Sequence, residues 1–140
     1  MMKIITRSPE ETEAAGFEFA GTLPENCVVG LYGDLGAGKT CFVRGAAGAF
    51  KVKEIVASPT FSLVNIYRGK RTVIHMDAYR LKNPSEMVQI GFEDYLAQGG
   101  ICFIEWAERI APLLPAGALQ VRFRITGDTA REIDLPKSGK

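Results

Sequence analysis

The chain has 140 residues, 46% of them hydrophobic and 24% charged, which suits one globular domain with a buried core and leaves too little chain for two ordinary domains. Seventeen lysines and arginines against sixteen aspartates and glutamates leave a formal net charge of +1, which argues against a nucleic-acid-binding protein that works by bulk electrostatic attraction. We therefore predict a single domain over residues 1–140.

The sequence favours a cytoplasmic protein with no membrane contact. No apolar run approaches the roughly 18 residues that a membrane-spanning helix needs, and the first ten residues lack the hydrophobic region of a signal peptide. The three cysteines (Cys27, Cys41 and Cys102) form an odd and widely spaced set, unlike a disulfide framework or a CxxC metal site. We expect all three to be buried, reduced thiols.

The first helix signal lies near the N-terminus. Ser8 is predicted as the N-cap, Pro9 as the first helical residue and Glu11 as the second half of a capping box. The predicted helix ends near Gly21, before a Leu-Pro pair.

Further along the chain, strand and helix patterns alternate. Two continuous apolar runs predict strands that are covered on both faces, at residues 27–32 and 101–104. Three segments have helical patterns, at residues 39–50, 83–89 and 92–98.

Four more segments predict two hairpins. Residues 61–67 and 72–77 form the first. Residues 119–125 alternate between apolar and polar side chains, which predicts an antiparallel strand near a sheet edge with one wet face, and residues 131–135 return after a turn. The sum is an α/β domain, with a mixed, mainly parallel sheet, helices on both faces and added antiparallel strands.

The segment GDLGAGKT, residues 33–40, matches the motif GxxxxGK[ST] between a predicted strand and a predicted helix. Glycines let the backbone N–H groups wrap around phosphates, and the following helix directs its positive end at the same anion. The motif predicts that Lys39 reaches the β- and γ-phosphates of a nucleoside triphosphate and that the Thr40 hydroxyl ligates Mg²⁺. The alternative is a glycine-rich turn with a surface lysine, which the strand–loop–helix context disfavours. The predicted nucleotide contacts here are Gly33, Asp34, Leu35, Gly36, Ala37, Gly38, Lys39, Thr40 and Cys41.

Two acids end predicted strands, and Mg²⁺ prefers such hard oxygen ligands. Glu105 follows the fully apolar run 101–104, and we favour it as the acid on or next to the metal. Asp77 ends a less regular run. It could orient the attacking water through a hydrogen bond, or it could be a capping acid.

Three neighbouring features each have two interpretations. The segment Ser58-Pro59-Thr60 could sense the γ-phosphate or its Mg²⁺, as switch segments do, although the same sequence is typical of a turn. His75 is the only histidine, and we predict a hydrogen-bonded core residue rather than a general base. Trp106 either packs over the site or caps the core.

Four segments occur in a distinctive order: GDLGAGKT (33–40), SPTFSLVNIY (58–67), HMDAYRL (75–81) and IEW (104–106). Together they resemble the TsaE (YjeE) family of small bacterial P-loop ATPases, over essentially the whole chain from about residue 8. The first segment is shared by a large superfamily, whereas the other three in this order are more specific. The resemblance implies a P-loop NTPase fold and an ATPase, with ATP and Mg²⁺, that is required for making threonylcarbamoyladenosine in tRNA. It also implies docking on a complex of TsaB and TsaD, with tRNA contacted only through that complex.

The resemblance also implies residue roles. Thr40 and Glu105 would hold Mg²⁺, Lys39 would hold the phosphates, Asp77 would be a further functional acid and Thr60 a switch-like hydroxyl.

Three more positions correspond less directly to the family. Glu11 or Thr12 would contact the nucleotide, and Arg131 would lie near the adenine. Cys41 stands where many relatives carry threonine, which changes nothing essential.

Other classes of function are weighed on the residues alone. A small-molecule kinase is compatible with the same loop and size, but little chain is left for an acceptor pocket and an arginine-bearing lid. A GTP-dependent switch usually carries an NKxD element, which does not occur here. A tRNA-binding module is disfavoured because the basic residues are scattered and nearly balanced by acids. We therefore expect an ATPase that is slow alone and faster with its partner complex.

Overall fold

The computed structural model describes residues 2–59 and 63–136, which form one seven-stranded sheet in the order β1-β7-β6-β2-β5-β4-β3. The strands are β1 (Met2–Thr6), β2 (Cys27–Tyr32), β3 (Val64–Arg68), β4 (Thr72–Asp77), β5 (Ile101–Glu105), β6 (Leu119–Ile125) and β7 (Arg131–Leu135). The helices are α1 (Pro9–Ala20), α2 (Lys39–Ala49), α3 (Ser85–Gln89) and α4 (Phe92–Ala97), and a 3₁₀ segment covers Ala107–Leu113.

The four central strands are parallel. β2 pairs with β5 and β6, and β5 also pairs with β4. The three outer strands are antiparallel to their neighbours: β3 to β4, β7 to β6 and β1 to β7. This confirms the mixed, mainly parallel α/β sheet with added antiparallel strands.

Helical segments cover both faces of the sheet, as predicted. One core contains residues of α1 and α2 packed on the inward side chains of β2, β5 and β6. The other contains residues of α3, α4 and the 3₁₀ segment packed on the opposite side chains of β4 and β5. No helix among the described residues is long and apolar enough to cross a membrane.

The prediction for β6 was wrong in one respect. The strand lies third from an edge of the sheet, parallel to β2 and antiparallel only to β7. Val121 and Phe123 are buried under the helices of one face, while Arg122 and Arg124 on the other face are exposed. The alternating pattern therefore reports that one face of the sheet is uncovered at β6, and it does not report an edge position.

Local signals placed most of the elements well. The Ser8 side chain accepts a hydrogen bond from the Glu11 backbone N–H, as an N-cap should. The Glu11 carboxylate, however, accepts from the backbone N–H of Arg7 at 2.7 Å, one residue before the cap. In the first predicted hairpin, β3 begins at Val64, and residues 60–62 lie outside the described residues.

The cysteine prediction was half right. All three thiols are free, but only Cys102 is buried, while Cys27 and Cys41 are partly exposed. Burial raises the pKa of the Cys27 thiol to about 11, which makes this thiol a poor nucleophile at neutral pH.

Two glycines allow α1 and α2 to pack with backbone against backbone. A Cβ atom at Gly45 would lie 1.8 Å from the carbonyl oxygen of Glu13, and one at Gly16 would lie 2.1 Å from that of Phe42. Both distances are far below van der Waals contact. The close packing fixes the N-terminus of α1 beside the start of α2.

Replacing Gly45 by alanine is expected to destabilise the fold by about 1–3 kcal/mol, because the new methyl group must push two backbones apart. This is the net effect, because the strain of a Cβ atom 1.8 Å from a backbone oxygen outweighs the gain of about 1 kcal/mol in helix propensity. Urea denaturation measures the change in the free energy of unfolding. Gly117→Ala is the matched control, since nothing lies within 4 Å of a Cβ atom there. A Gly45→Ala protein as stable as the unmodified one would contradict the packing argument.

Candidate functional site

A glycine-rich loop, residues 33–38, joins the end of β2 to the first residue of α2. Gly33, Gly36 and Gly38 have φ angles of +145°, +80° and +100°, which side chains disfavour. A Cβ atom at Gly33 would also lie 2.7 Å from the carbonyl oxygen of Phe123. The loop thus wraps around the N-terminal end of α2, an arrangement that suits an anion.

Lys39, the first residue of α2, is not a surface lysine, since only 4% of it is exposed. Its ammonium group donates to the backbone carbonyls of Gly33 and Asp34, the second at 3.5 Å. Burial lowers the pKa of Lys39, while the carboxylates around it, including Glu105, counteract that effect. The carbonyl groups of the loop therefore hold the ammonium group of the lysine that follows it.

Trp106 lies over this lysine, with the ring centroid 3.9 Å from Nζ. Its φ of 58° is left-handed, unusual for a non-glycine residue, and places the ring at the mouth of the loop. The ring of Tyr79 lies beside that of Trp106, with centroids 4.9 Å apart. Both interpretations of Trp106 therefore apply, because its ring lies over Lys39 and its side chain also packs against the core on the opposite face of the sheet.

Three oxygen-bearing side chains from distant parts of the chain meet at the start of α2. The Thr40 hydroxyl donates to Glu105 Oε2 at 2.6 Å. The Ser58 hydroxyl lies 2.6 Å from Thr40 Oγ1 and 3.4 Å from the same carboxylate oxygen. These residues come from α2, from the segment before β3 and from the end of β5. The structure therefore brings the two predicted metal ligands, Thr40 and Glu105, into contact, with the Ser58 hydroxyl beside them.

Strand register explains how both predicted acids reach this place. β4 and β5 are parallel, with Asp77 opposite Glu105 and His75 opposite Phe103. Because side chains alternate along a strand, His75, Asp77 and Glu105 share the sheet face that α2 covers. His75 is fully buried, and its Nε2 lies 2.7 Å from Glu105 Oε2.

The two acids have different electrostatic surroundings. Burial raises the pKa of Glu105, but hydrogen bonds from His75 and Thr40, together with nearby positive charge, outweigh burial and leave the pKa below its usual value. Burial raises the pKa of Asp77, and the hydrogen bond from the Tyr79 backbone N–H, at 2.9 Å, offsets this only in part. Glu105 is therefore held as a carboxylate, whereas Asp77 takes up a proton more readily.

These residues line one cleft of about 270 Å³. The lining consists of Leu35, Gly36, Gly38, Lys39, Thr40, Cys41, Ser58, Asp77, Tyr79, Glu105 and Trp106. Most of the predicted site residues thus lie around a single opening. Thr60 lies outside the described residues.

Thr12 and Glu11 occupy different surroundings. Thr12 is buried, its hydroxyl lies 2.7 Å from that of Thr6, and its methyl group would lie 3.3 Å from a Cβ atom at Gly38. Glu11 is exposed, and its carboxylate caps the backbone at Arg7. Thr12 is therefore the one that lies against the glycine-rich loop.

Arg131 and Cys41 tie the loop region to its neighbours. The Arg131 guanidinium donates to the carbonyl oxygen of Gly36 at 3.1 Å and to that of Ala130 at 2.8 Å, which holds the β6–β7 turn against the loop. The Cys41 thiol donates to the carbonyl oxygen of Pro9 at 3.0 Å, which links α2 to α1.

Tyr79 was missed as a site residue by the sequence analysis, and Ser58 was considered only as part of the segment Ser58-Pro59-Thr60, in which the role was given to Thr60. Ser58 belongs to the segment in which Thr60 drew attention, and its contact with Thr40 depends on a tertiary approach across 18 residues. Tyr79 lies two residues after a recognised acid, and only the folded chain places its ring at the cleft.

A mixed, mainly parallel sheet with a GxxxxGK[ST] loop between β2 and α2 gives the chain the fold of a P-loop protein of the α/β class. The family model "Threonylcarbamoyl adenosine biosynthesis protein TsaE" matches residues 6–133. The chain belongs to the TsaE family, whose members take part in tRNA threonylcarbamoyladenosine biosynthesis.

Individual relatives match over nearly their full length. The tRNA threonylcarbamoyladenosine biosynthesis protein TsaE of Treponema pallidum is 40% identical over 134 residues, which cover 96% of this chain and 99% of the relative. That of Bacillus subtilis is 39% identical over 139 residues, covering 99% and 87%. The crystal structure of Bacillus subtilis YdiB superposes with a TM-score of 0.77 at 35% identity, covering 94% of this chain and 82% of YdiB.

Proposed function

We propose that this protein binds ATP with Mg²⁺ in the cleft and hydrolyses it as the ATPase of threonylcarbamoyladenosine synthesis in the cytoplasm. The observation that carries the proposal is the 2.6 Å contact between the Thr40 hydroxyl and the Glu105 carboxylate, beside the buried Lys39. It joins the hydroxyl of the GxxxxGK[ST] motif to an acid 65 residues away at the end of a central strand.

The glycine-rich loop is proposed to hold the phosphates. Its backbone N–H groups and the N-terminal end of α2 supply donors and partial positive charge. Lys39 adds the full positive charge, once its ammonium exchanges the carbonyls of Gly33 and Asp34 for phosphate oxygens.

The oxygen cluster fits Mg²⁺ by its chemistry. In nucleotide sites this ion takes one or two protein carboxylates, with water and phosphate oxygens completing its shell. Thr40 and Glu105 offer a hydroxyl and an ionised carboxylate at the required place, and they are the proposed ligands. The bound ion would neutralise charge that develops on the phosphates.

Asp77 is proposed to orient the attacking water. It lines the same cleft, and strand register puts it directly across from Glu105. One of its oxygens is taken by the Tyr79 N–H, which holds the carboxyl group in place. A hydrogen bond from the other oxygen would direct the water toward the phosphate.

Partners supply what the cleft lacks. Lys39 is the sole cation among the described residues that line it. Phosphoryl transfer gains strongly from an arginine at the developing charge, and a partner often supplies that group. The proposed partner is the complex of TsaB and TsaD, with tRNA contacted only through that complex.

Hydrolysis is therefore expected to be slow for the isolated protein and at least tenfold faster with TsaB and TsaD, because the complex contributes the missing positive charge. Release of inorganic phosphate, measured without any metabolite as acceptor, also separates an ATPase from a small-molecule kinase. Equal rates with and without the two partners would contradict partner activation. Phosphate release that requires an added metabolite would favour the kinase.

A further inference from the structure

His75 is a polar residue in an apolar position. It is fully buried in β4, between Ile74 and Met76, and Val73 precedes them on the strand. A buried imidazole with incomplete hydrogen bonding costs free energy that an aliphatic side chain would not cost.

Within the part of the chain that the structure describes, only one of its two ring nitrogens has a hydrogen-bond partner. Nε2 lies 2.7 Å from Glu105 Oε2, whereas Nδ1 is buried with no hydrogen-bond partner among the described residues. Packing alone therefore does not account for a histidine here. The feature that distinguishes it from an aliphatic residue is the contact of Nε2 with the carboxylate.

His75 Nε2 contacts the same carboxylate oxygen of Glu105 that Thr40 contacts. Glu105 Oε2 also accepts the hydrogen bond from the Thr40 hydroxyl. Thr40 approaches from the cleft side, where α2 begins, and His75 approaches from the neighbouring strand inside the core. His75 has no exposed surface, so it does not touch a bound nucleotide, and its effect passes through Glu105.

We propose that His75 is a positioning residue, whose Nε2–H holds the Glu105 carboxylate in the orientation in which it takes a divalent cation beside Thr40. The proposal rests on the proposed Mg²⁺-dependent ATP site. Hydrogen-bond partners behind a metal ligand orient it, and their loss typically lowers metal affinity or activity about 10- to 100-fold.

The test compares two substitutions at this position by binding rather than by turnover. His75→Gln keeps an amide N–H near the place of Nε2, and His75→Leu removes the donor at similar volume. Calorimetry measures the affinity for a non-hydrolysable ATP analogue, once with Mg²⁺ and once with EDTA. We call the ratio of the first affinity to the second the magnesium gain. His75→Leu is expected to lose about 10- to 100-fold of this gain, whereas His75→Gln stays within about threefold of the unmodified protein. In EDTA, both variants should bind the analogue with the affinity of the unmodified protein.

Val73→Ala is the matched control for a purely structural effect. Val73 lies two residues earlier on the same strand face and is fully buried. This variant is expected to lower the melting temperature while leaving the magnesium gain unchanged.

Three results would overturn the positioning role: a His75→Leu protein with the full magnesium gain, equal losses in the leucine and glutamine variants, or no magnesium gain in the unmodified protein. Should His75→Leu fail to fold, His75→Asn replaces it, because the shorter amide does not reach Glu105, and the same difference from His75→Gln is expected.

A magnesium gain that depends on His75 as predicted, without phosphate release, would support the positioning role and refute only the proposed hydrolysis.

Discussion

Replacing Glu105 by glutamine is expected to reduce Mg²⁺-dependent ATP hydrolysis at least about 100-fold, the size of effect found when one preorganised electrostatic group is removed from a transition state. Glutamine keeps the shape of the side chain but loses the negative charge. The carboxylate is the group toward which Thr40 and His75 both converge, at 2.6 and 2.7 Å from one oxygen. Phosphate release at saturating Mg²⁺ and ATP measures the effect.

Asp77→Asn is the matched comparison, because it makes the same isosteric change in the facing strand. It is expected to reduce hydrolysis less than Glu105→Gln does, since it leaves the proposed Mg²⁺-holding carboxylate and its negative charge in place. The asparagine side chain would keep an oxygen that accepts from the Tyr79 N–H. A larger loss for Asp77→Asn than for Glu105→Gln would exchange the roles proposed for the two acids.

The same pair should change stability in opposite directions without nucleotide. The pKa of Glu105 is lowered in the folded state, so its ionised form stabilises the fold at neutral pH, and this contribution is lost as the pH falls through the folded pKa. The pKa of Asp77 is raised, so the folded state binds a proton more readily, and its ionised form opposes folding at neutral pH. Urea denaturation at pH 7 should therefore show Glu105→Gln less stable and Asp77→Asn more stable than the unmodified protein.

Local patterns were sufficient for elements whose residues carry their own signal. The apolar run of β2 and the N-cap Ser8 placed β2 and α1 at their observed bounds. β1 was not predicted, because Met2–Thr6 becomes a strand by pairing with β7 at the other end of the chain. The 3₁₀ segment was missed too, since it follows the left-handed turn at Trp106, which no local propensity favours.

The site residues show the same difference between those with a local sequence signal and those placed by tertiary contacts. The GxxxxGK[ST] spacing was enough to propose Lys39 and Thr40, because that motif lies within one continuous stretch of backbone. Glu105 stood out as an acid closing an apolar strand. The parts contributed by tertiary approach could not be read from spacing: the Ser58 hydroxyl beside Thr40 and the imidazole of His75 behind Glu105. Whether a polar residue in a strand serves the core or the site depends on which strand lies next to it.

Replacing Lys39 by methionine is expected to abolish the ATP-induced rise in melting temperature and to reduce hydrolysis at least about 100-fold. Methionine keeps most of the aliphatic volume but has no charge. Lys39 is surrounded by carboxylates, of which Glu105, Glu108 and Asp77 act most strongly on its pKa. Without its ammonium group, the described lining of the cleft would carry only negative charge and would repel a triphosphate.

The fold itself should tolerate this change. Among the described residues, the ammonium group of Lys39 donates hydrogen bonds to the carbonyls of its own loop, Gly33 and Asp34, and otherwise lies against the ring of Trp106, so its loss leaves the strand pairing and both cores intact. We expect the nucleotide-free variant to melt within a few degrees of the unmodified protein. Lys53→Met, an exposed lysine after α2, is the control and should change neither property. If Lys39→Met still melted at a higher temperature with ATP, the triphosphate would bind elsewhere, and the cleft would lose its proposed role.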